Sequence, residues 1–238
     1  MPLSANEEML LTVANSLPEE LKDHVVFLGG SVVSLLITDQ AFSGIRPTRD
    51  VDMIVDSSSR SSFHSIEETL RNAGFRQVLD DDPPVICRWR INSVIVDLMP
   101  CDESILGFSN KWYKEAIKNY TVINLAGTDV RIVSAPYFIA TKIEAFLGRG
   151  NNDFLGSADI EDIIAILDGR SEIVAEIKAA ETNLRTYLAR NFKDWLQNRD
   201  FINALPGLLA PDQASQNRFE SLFAKVNSIA GLFHKITG

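Results

Sequence analysis

Three short stretches of this 238-residue chain carry side chains whose types and spacing suit phosphate chemistry. Leu28-Gly29-Gly30-Ser31 lies between an apolar run and a helical pattern. Two residues without Cβ let the backbone approach an anion, and amides at a helix N-terminus, with the Ser31 hydroxyl, can donate to phosphate oxygens. The same tripeptide also serves as a plain turn with a capping serine. Arg46-Pro47-Thr48-Arg49-Asp50-Val51-Asp52 opens an extended apolar strand. Side chains two apart on a strand share a face with Cα atoms roughly 6.5–7 Å apart, so both carboxylates can converge on one hard cation. Like charges side by side are costly without a counter-ion, which points to a metal, while a solvated strand end or an Asx-turn suits the same pair equally. Asp97 sits inside Val94-Ile95-Val96-Asp97-Leu98-Met99. A carboxylate in such a strand needs a paired cation or a full set of hydrogen bonds. It completes a metal site, accepts the proton of an attacking hydroxyl, or caps neighbouring backbone.

Stepping outward along the chain, Met9, Leu10, Val13, Leu17 and Leu21 recur at three- and four-residue steps and predict an amphipathic helix over 6–22. A strand over 24–28 then meets the glycine turn, followed by a helix over 32–38. The strand 51–55 ends in Asp56-Ser57-Ser58-Ser59, whose hydroxyls suit an N-cap for a helix over 62–73 stopped by Gly74. Strands follow over 75–79, 85–90 and 93–99, with a polar turn at 80–84 and a hairpin loop at Ile91-Asn92. Weaker strands over 121–125 and 129–133 are joined by Ala126-Gly127-Thr128. From Pro136 onward the pattern is helical, over 136–147, 158–167, 171–180, 183–198 and 211–233. Strands first and helices last make the chain α+β, with a boundary near Ser134 separating a catalytic domain, 1–134, from a C-terminal helical domain, 135–238. No internal repeat is present.

A hydrophobic content of 45% with only 13 Gly and 9 Pro implies a packed core. The net charge of −9 repels a phosphate backbone, which disfavours a broad nonspecific nucleic-acid platform. A local basic site stays open at Lys111, Lys114 and Lys118 or at Lys142 and Arg149, against the plainer reading of solvated helix faces. No apolar stretch approaches the ~20 residues of a membrane span, and the first residues lack a basic or apolar leader, so no membrane partner and a cytoplasmic location are expected. Cys87 and Cys101 have no metal-ligand spacing and are expected to be reduced, partly buried thiols. His24, His64 and His234 are scattered, which gives triad or zinc chemistry little support. Trp89, Trp112 and Trp195 sit in different elements and suit packing better than base stacking.

The order strand, Gly-Gly-Ser, helix, strand with Asp50 and Asp52, then a later strand with Asp97 resembles the nucleotidyltransferase fold of the polymerase-β superfamily. The resemblance implies a mixed sheet with flanking helices, an NTP substrate held by Gly29, Gly30 and Ser31, Mg²⁺ on Asp50 and Asp52, and Asp97 as the third carboxylate, on the metal or assisting the acceptor. A finer likeness covers Thr48 ahead of the paired aspartates, Lys142-Ile143-Glu144-Ala145-Phe146-Leu147-Gly148-Arg149, and Asp159-Ile160-Glu161-Asp162-Ile163. It resembles the AbiEii-type branch, which includes toxins of toxin–antitoxin pairs that modify tRNA ends. That branch implies an NTP-phosphate contact at Lys142, a site aspartate at Asp162 with Asp159 as a neighbour, a tRNA acceptor and a cognate antitoxin protein. Lys142 and Asp162 could instead be surface residues, Arg149 could do no more than complement a helix dipole, and Arg46 could equally neutralise phosphate or pair with a carboxylate. A small-molecule or protein acceptor, and a nucleotide-binding module without catalysis, remain alternatives.

Overall fold

Among the described residues seven strands form one mixed sheet: β1 (Val25–Leu28), β2 (Asp50–Val55), β3 (Arg76–Gln77), β4 (Arg88–Ile91), β5 (Val94–Pro100), β6 (Tyr120–Leu125) and β7 (Thr128–Val133), in the order β3-β4-β5-β2-β1-β7-β6. The computed structural model describes residues 2–39, 42, 44–57, 59–79 and 85–233; the expected turn over 80–84 and His234 lie outside them. β2 runs antiparallel to β1 and parallel to β5, while β7 runs parallel to β1 and antiparallel to β6. The β4–β5 turn is Asn92-Ser93, one residue later than the expected Ile91-Asn92. Ile91 stays in the ladder opposite Val94, where its side chain is buried, and Asn92 takes the left-handed φ of 52° that asparagine tolerates.

Thirteen α-helical segments accompany the sheet among the described residues. The first six are α1 (Ala5–Ser16), α2 (Glu19–Lys22), α3 (Val33–Leu36), α4 (Arg60–Asn72), α5 (Glu103–Leu106) and α6 (Tyr113–Ala116). The rest are α7 (Ala135–Arg149), α8 (Ala158–Gly169), α9 (Ile173–Ala179), α10 (Thr182–Leu196), α11 (Arg199–Ala204), α12 (Gln213–Gln216) and α13 (Phe219–Gly231). The single helix expected over 6–22 is two, because Pro18 lacks an N–H and drives Leu17 to φ −69°, ψ 133°. Leu17 and Leu21 are nevertheless buried, so the apolar stripe continues through the break. The helix expected over 211–233 is likewise split into α12 and α13, α6 falls within the helically spaced Lys111, Lys114 and Lys118, and α5 and α11 went unforeseen. Ser59 caps α4 through a reciprocal bond with Ser62.

Two compact units divide the chain: Met1–Leu35 with Arg46–Ser134, and Leu36–Ile45 with Ala135–Gly238. In the first, strand alternation puts Val51, Met53, Val55, Val96, Leu98 and Trp89 on one sheet face, each at 0% exposure. Arg71 of α4 lies 5.0 Å over the Trp89 ring, so α4 covers that face. In the second, Phe146, Phe154, Phe192, Trp195 and Phe201 make a chain of ring contacts with centroids 4.8–5.8 Å apart. Lys225 reaches from α13 to the carbonyls of Leu167, Asp168 and Arg170 and completes the C-terminus of α8. No helix among the described residues is long and apolar enough to cross a membrane.

Candidate active site

The carboxylates lie on the sheet face opposite that apolar layer. Leu28, Asp52, Asp97 and Arg88 are successive register partners across β1, β2, β5 and β4, and Asp50 is two residues before Asp52 on the same strand. Neighbouring strands are about 4.8 Å apart, so Asp52 and Asp97 leave the sheet side by side. Burying Val51, Met53, Val96 and Leu98 fixes this orientation, since a one-residue slip would bury the aspartates and expose the apolar set.

The glycine turn closes on the same row. Gly29 has φ +73°, and a Cβ there would stand 1.8 Å from Asp52 Oδ2. Backbone conformation and space both require glycine, and the missing side chain is what lets the turn touch the carboxylate. At Gly30 a Cβ would meet Thr48 Cβ and Oγ1 at 3.2 Å and the Arg46 guanidinium at 3.4 Å. Ser31 is fully buried and its hydroxyl donates, at 3.4 Å, to the Leu28 carbonyl. The turn continues as a 3-10 segment, Gly30–Val32, and the short α3, not the helix expected over 32–38. The chain departs after Leu36, where the amides of Thr38 and Asp39 donate to the Gly169 carbonyl in the second unit's own hydrogen-bond set.

Thr48 belongs to this group directly: its Oγ1 donates to Asp50 Oδ1 at 2.9 Å. Asn6 of α1, buried at 4% exposure, holds the segment in place. Its Nδ2 donates to the Arg46 carbonyl and its Oδ1 accepts from the Thr48 amide, both at 3.1 Å. Sequence reasoning missed Asn6, although it is a polar residue on the buried 6, 10, 13, 17 stripe of the first helix.

Asp97 has a partner that sequence reasoning also missed. Arg88 Nε and Nη2 donate to Oδ1 and Oδ2 of Asp97, each at 2.9 Å, a two-bond fork on a carboxylate of 9% residue exposure. Among the described residues no group of three or more His, Cys, Asp or Glu is arranged to hold a metal. Asp50 and Asp52 present an all-oxygen pair on one face. That donor set fits Mg²⁺, which takes one or two carboxylates and fills its other positions with water and substrate phosphates.

Lys142, Asp159 and Asp162 come together in the second unit, between α7 and α8. Lys142 Nζ lies 3.1 Å from Asp159 Oδ1 and 2.7 Å from Asp162 Oδ2, and Arg149 donates two bonds of 2.9 and 3.0 Å to Asp159. Lys142, Asp159 and Asp162 are all below 10% exposure, so none is the solvated surface residue the sequence left open. Burial pushes the Asp159 carboxyl up, but the Arg149 hydrogen bonds and the Lys142 charge outweigh it and hold the group below the ordinary carboxylate range.

No protein-family model matches the chain, and no curated protein matches it. Among solved structures it is similar to an antigenic nucleotidyltransferase-like protein from Paracoccidioides brasiliensis, with 19% identity and a TM-score of 0.50, covering 86% of this chain and 95% of that one. It is also similar to JHP933 from Helicobacter pylori, with 13% identity and a TM-score of 0.48, over 99% and 97% of the two chains. The first likeness settles the fold: a mixed sheet with flanking helices and a helical C-terminal region, as in nucleotidyltransferase-like proteins.

Proposed function

We propose that this chain is a nucleotidyltransferase that moves a nucleoside monophosphate from an NTP to an acceptor hydroxyl. The observation that carries the reading is the contact of the Gly29 turn with Asp52, beside Asp97 on the adjacent strand. Fold likeness alone would not support it, since one fold hosts many activities.

In the reaction the acceptor oxygen attacks the α-phosphorus, the bond to the β,γ-diphosphate breaks, and pyrophosphate leaves with its electron pair. Backbone amides of the Gly29–Ser31 turn orient the triphosphate, and Arg46 beside Gly30 neutralises part of its charge. Thr48 fixes the rotamer of Asp50. Mg²⁺ held by Asp50 and Asp52 would supply charge neutralisation across the phosphate oxygens. Asp97, anchored by Arg88, orients the acceptor hydroxyl and takes its proton as the new bond forms. Lys142 and Asp162 are the nucleotide contacts that the AbiEii-type likeness suggests. The same likeness supports a tRNA 3′ end as acceptor and an antitoxin protein as partner.

A second reading, a nucleotide-binding module without catalysis, draws on the grip of Arg88 on Asp97. Incubation with each labelled NTP, Mg²⁺ and either total tRNA or protein separates the two. Transfer by the wild type and none by Asp52→Ala is expected; a chain that labels nothing in any mixture is a binder.

A further inference from the structure

The carboxylate face continues past Asp97 toward the β3 edge, and its residues there are arginines. Arg76 is the register partner of Arg90, Arg90 of Ile95, and Ile95 of Asp50. This row lies next to the row of Asp52, Asp97 and Arg88. Arg76 and Arg90 are exposed and form no ion pair among the described residues. With Gln77 and Asn92 they line an open cavity of about 490 Å³. Like charges directly opposed on neighbouring strands repel, so the pair is destabilising until an anion lies between or above the two guanidinium groups. In a chain of net charge −9 such a pair makes a localised anion site, not a broad platform.

Strand order gives this site its direction. β1, with the glycine turn, flanks the aspartates on one side, and β5, β4 and β3 lie on the other. A donor triphosphate at the turn and an anion at the arginines therefore approach Asp52 and Asp97 from opposite flanks, as donor and acceptor must. Three strand spacings put Arg76 about 14 Å from Asp50. That is the reach of a few nucleotides of one strand, at 3.4 Å or more of rise each.

Resting on the nucleotidyltransferase reading above, we propose that Arg76 and Arg90 dock the backbone phosphates of a single-stranded RNA acceptor whose terminal hydroxyl reaches Asp97. Arg88, already committed to Asp97, positions that carboxylate and is not part of the dock.

The test uses the full chain and a short fluorescein-labelled single-stranded RNA with a free 3′ hydroxyl, titrated at several salt concentrations by anisotropy. Arg76→Glu with Arg90→Glu is expected to weaken RNA binding by about tenfold or more and to lower the salt slope by roughly one to two, the value for two lost phosphate contacts. Arg76→Lys with Arg90→Lys is expected to keep most of the binding. Affinity for a non-hydrolysable ATP analogue and the melting temperature should be unchanged in both, which excludes general misfolding. Equal RNA binding by the charge-reversed and wild-type chains overturns the proposal. So does a wild type that binds no RNA, or one that transfers label only to protein. The enzymatic reading is tested separately: transfer that survives in Asp52→Ala sinks that reading, whatever the RNA titrations give.

Discussion

Asp52 of β2 and Asp97 of β5 are register partners on parallel strands, and the Oδ2 of Asp52 fills the space where a side chain on Gly29 would begin. One carboxylate thus joins the glycine turn of β1 to the carboxylate of the adjacent strand β5. Removing the glycine should damage the site more than removing any side chain around it.

Gly29→Ala is the direct check. Its Cβ would stand 1.8 Å from Asp52 Oδ2, and its φ of +73° with ψ of −167° is a conformation essentially reserved for glycine that costs an L-residue about 1–3 kcal/mol by itself. The expected outcome is a folded chain with a lower melting temperature and NTP affinity reduced at least about tenfold, read by analogue titration. A variant that binds the analogue as the wild type does would detach the turn from the site.

Arg88→Ala should separate anchoring from metal binding. Losing a two-bond charged fork on a nearly buried carboxylate costs about 1.5–3 kcal/mol of stability, measured by denaturant titration. The released Asp97 carboxylate should at the same time tighten Mn²⁺ binding, measured by electron paramagnetic resonance, because a competing cation is gone. Weaker Mn²⁺ binding would mean that Arg88 supports the aspartate pair and does not compete with the ion.

These pairings also mark how far the sequence could be read. Two-residue spacing was enough to place Asp50 and Asp52 on one face, but Asp97 joined them only through the family resemblance, since the pairing of its strand with β2 is a register that no local pattern reports. Arg88 escaped notice because a hairpin loop at Ile91-Asn92 would have set Ile86 opposite Asp97, and the true turn at Asn92-Ser93 moves Arg88 into that place. A one-residue error in a turn alters every partner across the ladder. Asn6 was hidden differently: its bonds go to Arg46 and Thr48, some 40 residues away in sequence, and no local periodicity reports such a contact. The break at Pro18 was legible in principle, but the apolar stripe crosses it and masks it.

Both cysteines should be unreactive in the native chain. Burial pushes the Cys101 thiol up to about 12, with the nearby Asp56 charge adding to it, and burial does the same to Cys87. Relative to a free thiol the thiolate fraction at pH 8 falls by about a thousandfold or more. Iodoacetamide at pH 8 should label neither residue until denaturant is added, and then both, counted by mass spectrometry. Rapid native labelling of either would show that its burial is transient.

The pairing of Lys142 with Asp159 and Asp162 makes a prediction in which stability and nucleotide binding can be told apart. Lys142→Met leaves two buried carboxylates with Arg149 as the cation on Asp159, and breaking such a buried group costs about 3–5 kcal/mol. Asp159→Asn should also destabilise, with a pH dependence of known sign. The folded carboxyl lies below its ordinary value, so its contribution is present above an unfolded pKa of about 3.9 and is lost as pH falls through the folded value. The stability gap between wild type and Asp159→Asn should therefore be constant above about pH 5 and narrow below pH 4. A phosphate contact adds a separate signature, because a ligand stabilises in proportion to the logarithm of its concentration over its dissociation constant. ATP with Mg²⁺ should then raise the melting temperature of the wild type more than that of Lys142→Met at equal concentration. Equal shifts in the two chains would leave Lys142 a structural cation of the second unit and remove it from the nucleotide site.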